Sequence, residues 1–133
     1  MGQAILLRQT RKPVKKSTLV VGASLNPERI SYRAIHTLRN YNHPVTAFGV
    51  KAGTVSDVEI STNFPTNQEF DTVTLYVGPQ NQTELIDKVI ALKPNRIIFN
   101  PGTENADFEN KANAAGIETE EACTLVLLGS GQY

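Results

Sequence analysis

The sequence predicts an α/β domain: a parallel sheet of about five strands, doubly wound with helices on both faces in three layers, α/β/α. Two observations carry this prediction. Short apolar, β-branched runs alternate with segments of helical periodicity. Four of those runs stop at glycine or proline, at Gly22, Gly49, Gly78-Pro79 and Asn100-Pro101-Gly102. Right-handed crossovers bring the carboxyl ends of parallel strands to one rim, and ligands of such sheets lie outside it where strand order reverses.

The elements follow in order. Thr18–Val21 reads as a buried strand ending at Gly22. A helix then runs to about Asn42, starting either at Asn26-Pro27, with asparagine as cap, or at Ser31. Its apolar face is Ile30, Ala34, Ile35, Leu38 and Tyr41. His43-Pro44 stops it, and Val45–Phe48 is the second strand. Residues 50–71 are irregular: Val55, Val58 and Ile60 suit a short strand or an extended excursion, and Phe64 and Phe70 tuck back onto the body. Thr72–Val77 is a strand. Thr83–Leu92 is a helix capped by Thr83, with Leu85, Ile86, Val89 and Ile90 inward. Arg96–Phe99 is a strand, and Asn105–Ala115 a helix stopped by Gly116 at C′. Ile117–Thr119 is a last strand, and Cys123–Leu128 a helical turn or short strand.

Length and charge bound the possibilities. With 133 residues, 40% of them apolar, the chain suits one domain with its own core. No apolar run approaches the roughly 20 residues of a membrane span. The first residues lack a secretory h-region and there is one cysteine, so a cytoplasmic protein without a disulfide is expected. Arg8, Arg11, Lys12, Lys15 and Lys16 make residues 1–16 a basic arm ahead of a domain over 17–133. The remainder holds 8 basic and 13 acidic residues, a balance of −5. The arm alone would suit nucleic acid or anionic lipid. With no basic face on the body to continue it, a solvated leader or a subunit contact through Ile5-Leu6-Leu7 is the expectation.

The strand, the Gly22-Ala23-Ser24 turn and the following helix form an anion-binding device. Backbone N–H groups at the turn and helix start point outward, and the helix dipole adds positive charge. A side chain at the glycine would hold a pyrophosphate off the backbone. The corner is thus Rossmann-like. It lacks the second and third glycines of the dinucleotide fingerprint, and the second strand ends at Phe48-Gly49-Val50-Lys51 without the carboxylate that binds two ribose hydroxyls. A lysine there favours a phosphate on the ribose, and Arg29 and Arg33 add charge near the helix start. NAD is disfavoured; coenzyme A, with its ribose 3′-phosphate, and NADP remain.

Gly22-Ala23-Ser24, the loop Asn26-Pro27…Arg29…Ser31-Tyr32, Val45–Lys51, Asp71–Pro79, Asn100-Pro101-Gly102 and Glu121-Ala122-Cys123 together resemble the small CoA-binding proteins. These are similar to the N-terminal domain of the succinyl-CoA synthetase alpha subunit. The resemblance spans about residues 17–125. It implies a Rossmann-like fold with coenzyme A on the first glycine loop, and Gly22, Ser24, Arg29, Tyr32, Lys51, Gly78 and Pro79 as contacts. Ala23, Ile30, Val77, Asn100 and Gly102, beside those positions or on the same rim, complete the candidate site. Phe48-Gly49-Val50 stands where the family has Asn-Pro, and Asn100 where it often has Gln.

Nothing in the chain resembles a nucleophile elbow or a Walker loop. The phosphohistidine domain of the full synthetases has no counterpart here. His36 and His43 have no Cys, Asp or Glu at metal-ligand spacing, so no metal site is expected. Glu118, Glu120 and Glu121 read as a solvated edge. Cys123 reads as a small buried hydrophobe, with a thiol near the pantetheine end as the sharper alternative. The expectation is a binding module for coenzyme A or acyl-CoA, a sensor or carrier rather than an enzyme, that acts alone, as a homodimer or with a protein partner. The alternatives are an NADP- or NAD-binding redox protein or sensor, and an interaction protein with a vestigial nucleotide site.

Overall fold

The computed structural model describes residues 15–133, so most of the expected basic arm, including Ile5-Leu6-Leu7, lies outside the described residues. Thr18–Val21 (β1) is fully buried, as its apolar, β-branched composition requires, and forms the middle of the sheet. It pairs in parallel with β2 (Val45–Phe48) on one side and β5 (Thr72–Leu75) on the other. Beyond β5 follow β6 (Arg96–Phe99) and β7 (Glu118–Glu121), also parallel. Strand order therefore reverses at β1, as in a doubly wound, Rossmann-like sheet.

Among the described residues the sheet has seven strands, where the sequence suggested about five. The two extra strands come from the irregular stretch. Gly53–Val55 (β3) and Val58–Ser61 (β4) form an antiparallel hairpin whose turn holds Ser56 at φ 57°, and β4 joins β2 in parallel. Val55, Val58 and Ile60 are its buried side chains, a pattern too short to read as two strands from the sequence alone.

Helices cover both faces. Ile30–Asn40 (α1) and Thr124–Gly129 (α4) bury Ile35, Leu38 and Leu128 against Val20, Ala47, Val55 and Ile60. Ile86–Ala91 (α2) and Ala106–Ala114 (α3) bury Ile86, Val89, Phe108 and Ala112 against Leu19, Val73, Leu75, Ile97 and Phe99. α3 matches its sequence signals: Asn105 accepts a hydrogen bond from the Phe108 N–H at 3.2 Å, and Gly116 follows at φ +84°. α2 is shorter than expected and Thr83 does not cap it. A 3-10 turn over Pro79–Asn81 leads in, and the carbonyl of Gln82 accepts from the amides of Leu85 and Ile86. β5 ends two residues earlier than expected, with a last ladder bond from the Tyr76 N–H to the Val21 carbonyl at 2.8 Å. α1 starts at Ile30, close to the later of the two expected starts, and ends two residues before Asn42.

The amino ends of the strands are closed by side chains. The guanidinium of Arg96 donates to the Thr72 hydroxyl at 3.1 and 3.2 Å and lies 4.6 Å from the Tyr133 ring centroid. Tyr133 also shares a 2.5 Å hydrogen bond with Thr18 Oγ1. His43 is buried there, its Nδ1 accepting from the Lys16 N–H at 2.9 Å. The open end of the sheet is the carboxyl end.

Candidate functional site

A cavity of about 1140 Å³ opens at the carboxyl ends of β1, β2 and β5. That is the upper end of small-molecule sites and large enough for a nucleotide with an extended arm. Gly22 makes it possible. Its φ of +93° suits glycine, and a Cβ there would stand 2.9 Å from Val77 Cγ2 and 3.0 Å from the Tyr76 carbonyl group. The first and fifth strand ends thus touch through a residue with no side chain. Gly49 serves a similar close approach, since a Cβ on it would overlap the carbonyl oxygen of Ala23.

The free backbone amides at this corner lie slightly later than the sequence suggested. Gly22 and Ala23 both donate to the Phe48 carbonyl at 2.9 Å, so these two N–H groups tie β1 to β2. The amides of Ser24, Leu25, Ile30 and Ser31 have no partner among the described residues, and all four residues line the cavity. The loop between them holds its own shape. Ser24 Oγ accepts from the Asn26 N–H at 3.1 Å, and Asn26 Oδ1 from the Glu28 N–H at 3.0 Å. Arg29 stands at the N-cap without a side-chain cap bond, so the orphan donors of α1 remain free for an anion. Three cations, Arg29, Lys51 and Lys88, line the wall with two acids, Glu28 and Glu84.

A family model described as CoA binding domain matches residues 16–129. The chain belongs to the CoA binding domain family. A crystal structure of an uncharacterized protein, 40% identical, superposes with a TM-score of 0.87 over 90% of this chain and 99% of that one. A hypothetical protein from Pyrococcus horikoshii OT3 (23% identity, TM-score 0.76, 95% of this chain and 88% of that one) shares the fold. So does a Thermus thermophilus protein (19%, 0.79, 99% and 97%). Among curated proteins, nothing matches the sequence.

Of the residues expected to form a CoA site, Gly22, Ala23, Ser24, Arg29, Ile30, Lys51, Val77, Gly78 and Gly102 line this cavity. Tyr32, Pro79 and Asn100 lie off its wall. Tyr32 lies tilted against His36, with ring centroids 4.9 Å apart, and packs on the α1–α4 core. Pro79 opens the 3-10 turn. Asn100 is an internal strut: its Nδ2 donates to Thr74 Oγ1 (2.7 Å) and the Leu75 carbonyl (2.9 Å), and its Oδ1 accepts from the Thr124 N–H (2.9 Å). Arg33 is exposed away from the wall, and the histidines and Cys123 do not line it either.

Lys88, Asn81 and Thr103 also stand on this wall, and Gln82 lies beneath it, with no motif in the sequence to mark them. Gln82 is fully buried. Its Nε2 donates to the carbonyls of Val77 and Thr103, each at 2.8 Å, and its Oε1 accepts from Asn105 Nδ2 at 2.8 Å. It therefore clamps the loop after β5 to the loop after β6. A polar residue just ahead of a helix reads as surface, and only the fold shows it turned inward. Among the described residues, no group of three His, Cys, Asp or Glu side chains is placed to hold a metal ion, and no helix is long and apolar enough to cross a membrane.

Proposed function

We propose that this protein binds coenzyme A or an acyl-CoA without transforming it, as a sensor or carrier module. The observation that carries the reading is the set of four unpartnered amides, in residues that line the cavity together with Arg29 and Lys51, at the corner that Gly22 opens. Amides at a helix start match a pyrophosphate. The lysine beyond β2, where a dinucleotide-binding sheet keeps a carboxylate, matches a phosphorylated ribose. Ile30 and Val50, 52% and 99% exposed at the mouth, offer apolar surface to a base or a pantetheine arm.

Calorimetric titration with coenzyme A, dephospho-coenzyme A and NADP tests the reading. It predicts coenzyme A as the tightest ligand and recovery of the same compound, chemically unchanged, after prolonged incubation. Tighter binding of NADP, or no binding of any of the three, would overturn it.

A further inference from the structure

We propose that Lys88 is a second recognition residue for the ribose 3′-phosphate, so that preference for coenzyme A over its dephospho form is shared between Lys51 and Lys88. This rests on the coenzyme A reading above and adds to it a residue from the opposite layer of the fold. α1, with its free amides and Arg29, lies on one face of the sheet; α2, which carries Lys88, lies on the other. Lys88 therefore reaches the cavity from the side away from the pyrophosphate amides. Leu85, the N-cap of α2, also lines the wall, as does Phe48, and both pack on the same apolar cluster. Phe48 lies at the end of β2, three residues before Lys51. Lys51 and Lys88 thus line the same cavity from different elements.

Charge matching selects the anion. Two ammonium groups facing one space repel unless an anion of matching charge lies between them. A phosphate monoester carries close to two negative charges at neutral pH, while each phosphate of a pyrophosphate diester carries one. Lys88 is also available. The ion pairs among the described residues are Arg39–Asp57, Arg96–Glu120 and Lys111–Asp107, and none engages it. Glu84, four residues earlier in the hydrogen-bonded turn that leads into α2, lines the same wall but makes no ion pair with Lys88.

The test compares the wild type with Lys88→Gln, Lys88→Arg, Lys51→Gln and the double glutamine variant, each titrated with coenzyme A and dephospho-coenzyme A at one ionic strength. Lys88 is exposed, so the substitutions leave the fold intact, which circular dichroism verifies. Lys88→Gln should weaken coenzyme A about tenfold, the scale of one charge-assisted hydrogen bond. Dephospho-coenzyme A should change by less than about twofold, as befits a contact it does not make. Lys88→Arg should keep the preference and the double variant should lose it. Equal weakening of both ligands, or of neither, would overturn the role of Lys88 and leave the coenzyme A reading in place. A wild type that binds neither ligand would overturn both.

Discussion

At the scale of single residues, Gly22 joins backbone geometry to function. Its positive φ and the 2.9 Å approach of Val77 leave no room for a methyl group. Gly22→Ala should cost more than about 1 kcal/mol of stability and weaken coenzyme A binding, since the β1 and β5 ends would separate; chemical denaturation and calorimetry measure the two effects. His43 makes a different prediction, at the closed end of the sheet. Burial, followed by Lys15, Lys16 and Arg96, lowers its pKa, and its Nδ1 must be unprotonated to accept from Lys16. The unfolded chain then binds the proton more readily than the fold. This contribution to stability is full above the ordinary histidine value and falls away as pH drops through the lowered one. His43→Gln should flatten that acid-side slope in denaturation curves recorded from neutral pH downward. Glu109 behaves in the opposite sense: burial and then the neighbouring Glu121 raise its pKa, so its charge opposes folding once pH rises above the ordinary carboxylate value. Glu109→Gln should therefore stabilise the protein at neutral pH and lose that advantage in acid.

At the scale of elements, the rim depends on struts between loops as well as on its glycines. Removing the amide of Gln82 would leave the carbonyls of Val77 and Thr103 without that donor, and Asn105 without its acceptor. Gln82→Ala should cost about 2–4 kcal/mol, the scale of two or three buried groups losing partners, and speed amide exchange across residues 77–82 and 101–105. These struts also show where sequence reasoning stops. β1, β2, β6 and α3 were legible because composition, periodicity and caps agree within each segment. The β3–β4 hairpin was not, because three- and four-residue strands carry too little pattern. Thr83 looked like a cap, but the tertiary demand on Gln82 moved the start of α2 past it. Asn100 was legible as a residue of the rim, and its inward orientation was not. Nothing local shows that Thr74, Leu75 and Thr124 surround it.

At the scale of the molecule, order reversal at β1 brings the first glycine corner, the end of β2 and the β5–α2 connection to one cavity. The alternation of strands and helices made that rim readable, and with it the wall positions contributed by strand ends. Contributions from across the sheet, such as Lys88 on α2, were hidden because their relation to the corner exists only in three dimensions. The proposed function requires that a pyrophosphate rest on the amides just after the glycine turn. The most direct measurement is the backbone amide spectrum of the labelled protein titrated with coenzyme A. The account predicts the largest shifts at Ser24, Leu25, Ile30 and Ser31, with Gly22 and Ala23 still protected by the Phe48 carbonyl. Shifts gathered instead around Thr18, Arg96 and Tyr133, at the opposite end of the sheet, would contradict it.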